Sequence, residues 1–368
     1  MKQGLRLIAS NMALLTLLCA VLAFFLPAQF SIFGHIFKEL FAATMFALGI
    51  VLDRKDLVDT LKHPLRIGFG VFTQFVVMPL LAFTIVTIAG LPPYLALGFI
   101  IVGSAPGAMA SNVIVYLAGG ALAFSIALTT VATFLSPFLT PYLIDLLGGQ
   151  FINIDPSKLM WTIIYILVIP LAGGMLVRRY LDKGFTGLFL LAHLLIADLL
   201  LFMLFVNGDL DVWQVMLASI FILVAPFIAC FIPRRFAGST LNWSKEFAPA
   251  IASLAIIVIC AYAVAKNQEQ ILKVGPMVLA LVVLLNALGY LAGWFLAKLY
   301  RFDHTHRITL AIEIGMQNAG MGVALALAHF TDHPEVALPG ALFAVWCIIT
   351  AAGASAYFRK KKAVEISP

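Results

Sequence analysis

The sequence predicts an all-α polytopic membrane protein, and three observations predict it: an apolar composition, runs of membrane-spanning length, and a lopsided placement of basic residues. Of 368 residues, 63% are hydrophobic and 11% charged, with a mean hydropathy of +1.06. A soluble domain carries roughly 45–50% apolar and about 25% charged residues. The outer surface of this chain must therefore be apolar too, and face lipid.

A helix needs about 20 mostly apolar residues to cross the hydrocarbon core. Twelve such runs are read, at 8–26, 32–52, 65–89, 93–118, 121–147, 157–178, 186–206, 212–233, 247–266, 275–299, 306–329 and 336–358. They are far longer than the roughly 10-residue alternating strands of an outer-membrane barrel. With the N-terminus inside, 19 of the 23 Lys and Arg fall in inside segments, and Lys38, Lys158, Lys266 and Lys273 fall outside. That bias follows the positive-inside rule. It predicts an even number of spans with both termini cytoplasmic, and it assigns the net charge of +6 to topology, not to nucleic acid. The first 27 residues carry Lys2, Arg6 and an apolar run that ends at Pro27. The run is long and no soluble domain follows, so they read as a first span and not as a cleaved leader. Cys19, Cys230, Cys260 and Cys347 lie inside spans without metal-type spacing and read as small packing residues.

Two spans are not uniform helices. The fourth is interrupted by Gly103-Ser104-Ala105-Pro106-Gly107, followed by Ala108-Met109-Ala110-Ser111-Asn112, and the eleventh by Glu313-Ile314-Gly315-Met316-Gln317-Asn318 with Gly320 and Gly322 beyond. Gly and Pro loosen a helix, and in lipid the freed backbone groups need partners inside the protein. Spans 3–5 begin inside and spans 10–12 outside, each trio with its break in the middle member. That is the inverted-repeat pattern of secondary transporters. A weaker repeat places Ile166–Pro170 and Arg178-Arg179 56 positions before Ile222–Pro226 and Arg234-Arg235. Duplication of a two-span unit and convergence of inward-ending spans both account for it.

Glu313 is the sharpest signal. An acidic residue near mid-bilayer costs roughly 2.5–3.5 kcal/mol on insertion scales, and no Lys or Arg lies in the middle of any span to pair with it. The missing counter-charge is a proton or a metal ion. Oxygen groups nearby, on Gln317, Asn318, Ser111, Asn112, Gln74, Ser125 and Thr129, suit an alkali or alkaline-earth ion better than zinc or copper. The helix starts after each break favour an anion, so cation and organic anion fit one site. His193 and Asp198 stand at i, i+5, about 140° apart on a helix, and read as packing contacts. His329 and His333 have a metal-like spacing but sit at an outside loop; His304 and His306 lie in a basic inside loop. No His-Glu-x-x-His, Gly-x-Ser-x-Gly or Walker lysine loop is present, so the chain is not read as an enzyme, and no cofactor is expected beyond coupling ions.

Four stretches in this order resemble the bile acid–sodium symporter family: Gly103–Asn112; Ser125–Thr129 with Leu135–Pro141; Glu313–Asn318; and Val336–Phe343. The resemblance covers the chain except for about fifty residues near 182–232. It implies a ten-span fold plus two inserted spans, with a core moving against a panel. The panel would comprise 1–62 and 151–270, the core 63–150 and 271–358, and a basic cytoplasmic tail 359–368. It implies one sodium held by Ser111, Asn112, Ser125, Thr129 and Glu313, and a second by Gln74, Glu313, Gln317 and the carbonyls of Ile314 and Met316. Met109, Asn112, Asn318 and Cys347 would face substrate; Met109 and Cys347-Ile348 depart from the polar or small residues of bile-acid-binding members. The expectation is sodium-coupled symport of an organic anion (bile-acid-like, steroid sulfate, or keto or hydroxy acid) across a bacterial inner membrane. The alternatives are proton coupling and an ion-sensing receptor or scaffold that moves nothing.

Overall fold

The computed structural model describes residues 12–52, 63–183, 187–207, 212–230, 247, 250–251 and 254–366. Of the residues singled out above, Lys2, Arg6, Arg234 and Arg235 lie outside them. The described chain is helical, without a β-strand; its one isolated bridge pairs Gly107 with Gln317. In chain order the helices are α1 (Met12–Phe25), α2 (Phe37–Val51), α3 (Pro64–Ala89), α4 (Pro93–Ser104), α5 (Ser111–Leu117), α6 (Leu122–Gly148) and α7 (Pro156–Asp182). There follow α8 (Gly187–Asn207), α9 (Val212–Ala229), α10 (Leu254–Lys266), α11 (Gln268–Leu299), α12 (His304–Gly315), α13 (Ala319–His329) and α14 (Leu338–Ile366).

Among the described residues, six helices are long and apolar enough to cross a membrane on their own: α3, α6, α7, α9, α11 and the Pro334–Phe358 stretch that includes most of α14. The rest are shorter or broken. The chain bends by 112° between Leu14–Phe25 and Pro27–His35, where proline removes an N–H and ends α1. Three expected boundaries shift. Asn267–Gly275, expected as an outside loop, is helical from Gln268, with its Glu269 and Lys273 on the first turns of α11. The expected second span from 32 begins as a helix proper at Phe37. The basic tail from 359 continues α14 to Ile366.

Large apolar side chains cover the outer surface, as a lipid solvent requires: Ile88 is 82% exposed, Leu65 77% and Leu299 73%. Lipid tails are as apolar as leucine, so helices here gain by close backbone approach. A methyl group built on Gly293 of α11 would lie 2.6 Å from the Leu310 carbonyl oxygen of α12; only glycine lets these two axes come so near.

Among the described residues, three helices widen into a π turn, at Thr73–Val77, Ile164–Val168 and Ile220–Val224. A proline stands two residues after each: Pro79, Pro170 and Pro226. Proline cannot donate back along the helix and its ring crowds the preceding turn, and letting out one residue relieves both faults. The second and third π turns occupy equivalent places in the 56-position repeat. The first swings Gln74 into the interior, where it is 2% exposed.

Candidate functional site

The chain unwinds at 105–110, between α4 and α5, and at 316–318, between α12 and α13. The two unwound segments lie against each other in antiparallel fashion. Ala108 N–H donates to the Met316 carbonyl at 2.8 Å, and Asn318 N–H donates to the Pro106 carbonyl at 2.8 Å. Each break thus repairs the other. Three further carbonyls at the breaks find side-chain amides: Gln74 Nε2 donates to Ala105 O at 3.0 Å, Gln317 Nε2 to Ile314 O at 2.9 Å, and Asn286 Nδ2 to Gly315 O at 2.8 Å. A buried backbone group without a partner costs as much as a lost hydrogen bond, so these three amides maintain the unwound geometry. Asn318 also caps α13, accepting from Met321 N–H at 3.1 Å.

Glu313 sits beside the crossing, 1% exposed. Ser111 Oγ donates to its Oε1 at 2.6 Å, Ser125 Oγ donates to the same oxygen, and Thr129 Oγ1 donates to Oε2 at 2.9 Å. Ser125 Oγ is also 2.7 Å from Asn112 Oδ1. Ser125 and Thr129 are one turn apart on α6 and so project from the same face. Gln74 Nε2 donates to Gln317 Oε1 at 2.6 Å. A methyl group on Gly107 would lie 2.9 Å from Glu313 Oε2 and 3.8 Å from Gln74 Oε1. That glycine therefore lets the backbone of the first break approach both groups.

The oxygen-bearing residues singled out in the sequence thus converge: Ser111, Asn112, Ser125, Thr129 and Glu313 form one connected set, and Gln74, Gln317 and Ile314 form a neighbouring one. The Met316 carbonyl is engaged by Ala108. No basic side chain contacts Glu313 among the described residues. Each hydrogen bond to a charged group contributes about 1.5–3 kcal/mol, so three hydroxyls offset the insertion cost of the acid without neutralising its charge. Met109 and Cys347 stand apart from these contacts: Met109 packs in the apolar cluster with Ala105, Phe41 and Met321, and Cys347 in that with Cys260 and Ala319.

The sequence reading missed Asn286 and Thr309. Asn286 is an amide alone in an apolar run, and that isolation was the available signal. Thr309 Oγ1 accepts from Ala121 N–H at 2.8 Å, tying α12 to the start of α6; nothing in its surroundings marks it. The histidines serve different partners. His193 contacts Tyr180 Oη at 2.9 Å and Ile222 O at 2.6 Å, whereas Asp198 is exposed. His329 contacts Thr162 at 2.8 Å and His333 stacks on Tyr94, and no metal-holding group of His, Cys, Asp or Glu is found among the described residues.

An all-α membrane protein with a buried carboxylate beside two mutually repaired helix breaks has the architecture of a membrane transporter. The family model described as "Sodium Bile acid symporter family" matches residues 40–208, and that described as "SBF-like CPA transporter family (DUF4137)" matches residues 184–360. The chain is 30% identical over 342 residues to the "Uncharacterized sodium-dependent transporter YocS" of Bacillus subtilis (strain 168), covering 93% of this chain and 88% of that protein. It is 31% identical over 302 residues to the "Probable sodium/metabolite cotransporter BASS1, chloroplastic" of Oryza sativa subsp. japonica, covering 82% of this chain and 60% of the relative. Its Arabidopsis thaliana counterpart is 28% identical over 302 residues, 82% and 61% of the two chains. The chain thus spans about three fifths of these plant proteins. It belongs to the sodium bile acid symporter family.

Proposed function

We propose that this chain couples the inward movement of sodium to uptake of an organic anion by alternating access. The observation that carries the proposal is Glu313, buried beside two helix breaks, ringed by hydroxyl groups and unpaired with any base among the described residues. Similarity to proteins named as sodium-dependent transporters supports sodium as the coupling ion.

One sodium is held by Ser111, Asn112, Ser125, Thr129 and Glu313. Those hydroxyls now donate to the carboxylate; turning their hydrogens outward presents their lone pairs to an ion. A second is held by Gln74, Glu313, Gln317 and the carbonyls of Ile314 and Met316, at the expense of the Gln74–Gln317 hydrogen bond. An organic anion binds where α5 and α13 begin, near Asn112 and Asn318, with Met109 and Cys347 setting the character of the surrounding pocket. The moving core comprises 63–150 and 271–358 and the panel 1–62 and 151–270, in twelve spans with both ends inside a bacterial inner membrane. α8 and α9 are the added pair in the panel.

The test is uptake of radiolabelled taurocholate, pantoate and steroid sulfate into proteoliposomes under a sodium gradient or a pH gradient. Sodium-driven uptake of at least one, lost in Glu313→Ala, is the expected result. Uptake driven by the pH gradient without sodium selects proton coupling, and sodium binding without any flux selects a sensor. Cysteine labelling at Asp209, which lies outside the described residues, should report the outer face; a cytoplasmic result removes the added pair as placed.

A further inference from the structure

A π turn adds one residue to a helix, and which residue it adds decides where its neighbours point. Each residue advances about 100° around the axis. Sliding the turn at Thr73–Val77 by one position would therefore swing Gln74 away from the breaks. Pro79 calls for a π turn nearby, but it does not choose the residue carried inward. Gln74 nevertheless meets Ala105 O and Gln317 Oε1 together, so the register is held by something else.

The side chain placed to hold it is Tyr300, just past the end of α11. Its hydroxyl is 3.0 Å from Thr73 Oγ1, and Thr73 Oγ1 donates to Phe69 O at 2.8 Å. A hydroxyl has one hydrogen to give. With that of Thr73 on Phe69 O, Tyr300 Oη is the donor of the pair. The Tyr300 ring stacks on Phe69, with centroids 4.5 Å apart and planes 17° apart, and packs against Phe302 at 5.7 Å. Ring and hydroxyl thus grip α3 at Phe69 and Thr73, one turn apart on the same face, directly before Gln74. Thr73 is fully buried, so water does not compete for the bond. Farther back along α11, a methyl group on Gly289 would lie 2.9 Å from Met78 Sδ and 3.0 Å from Ile314 O. α11 therefore braces both α3 and α12, the helices that carry Gln74 and Glu313.

We propose that Tyr300 is a positioning residue: through Thr73 it fixes the register of the π turn and keeps Gln74 turned toward the breaks. Its consequence for ion binding rests on the second sodium site proposed above; its hold on the turn does not. Tyr300 belongs to neither proposed ion-ligand set and acts only through Gln74.

The test uses the full chain in detergent. Hydrogen exchange over 73–78, measured without sodium, reads the turn itself. Tyr300→Phe keeps the stack on Phe69 and loses the hydroxyl, and it should speed exchange there about fivefold, the worth of one hydrogen bond. Thr73→Val should do at least as much, Thr73→Ser should match the wild type, and adding Tyr300→Phe to Thr73→Val should change nothing further. Sodium binding reads the consequence: Tyr300→Phe should weaken one of the two ions about fivefold, spare the other, and have no effect in a Gln74→Ala background. A tyrosine that only supports the fold would lower Tm and weaken both ions alike. Unchanged exchange in Tyr300→Phe, or a sodium effect that persists in full without Gln74, would overturn the inference. If Gln74→Ala binds sodium as the wild type does while the exchange result holds, the second-site reading fails and the hold of Tyr300 on the turn is supported. Should Tyr300→Phe not fold, Thr73→Ser decides: exchange as fast as in Thr73→Val would show that the hydroxyl pair holds nothing.

Discussion

The two helix breaks are paired in space but unequal in chemistry. The break at 316–318 is short and follows the charge, Glu313, with the amides of Gln317 and Asn318 inside it. The break at 105–110 is longer, carries no ionisable group, and offers backbone, Gly107 and the hydroxyl of Ser111. Asn318 caps the helix after its break with its own side chain. Ser111, at the start of the other, gives its hydroxyl to Glu313 and leaves the turn to backbone bonds, such as Ser111 N–H to Ala108 O at 2.9 Å. The difference teaches a division of labour: one break holds the charge, and the other shapes the space around it.

That division can be broken most severely at the charge. Glu313→Gln keeps the size of the side chain and removes the anion. Truncating a buried charge partner costs about 2–5 kcal/mol, so sodium affinity in a thermal-shift titration should fall on the order of 100-fold. Thr129→Val removes one proposed oxygen ligand and leaves volume nearly unchanged. A loss of about 1.5–3 kcal/mol predicts roughly tenfold or more weaker sodium binding, with Ser125→Ala at least as damaging because Ser125 also contacts Asn112. On the shaping side, Gly107→Ala pushes a methyl against Glu313 Oε2. Overpacking costs about 1–3 kcal/mol, and it should appear as a lower Tm together with weaker sodium binding. The smallest effect belongs to Asn318→Ala measured without sodium: loss of a cap is worth about 1 kcal/mol, a shift of a few degrees in Tm. A Gly107→Ala effect as large as that of Glu313→Gln would erase the contrast between the breaks.

Much of this contrast was legible in the sequence. An acid in an apolar run, glycines and a proline at mid-span, and hydroxyls one turn apart on α6 each carry a physical cost or a geometry that a single chain displays. Their mutual distances do not. The antiparallel pairing of 106–108 with 316–318 rests on contacts some two hundred positions apart, and Asn286 acquires its task only once Gly315 O is freed beside it. Helix limits were misread for the same reason. The charges of Glu269 and Lys273 and the Gly275-Pro276 pair resemble a loop, yet α11 runs through them with Pro276 inside the helix. The π turn at Thr73–Val77 was foreshadowed by Pro79, but its effect on Gln74 required the fold.

The central claim is that Glu313 is the anionic ligand of the coupling ion, and equilibrium binding of radioactive sodium to purified wild type and Glu313→Gln tests it most directly. The account predicts saturable binding of two ions per chain in the wild type and loss of both in the variant, because the two proposed sites share the carboxylate. Equal binding by the two proteins would contradict it.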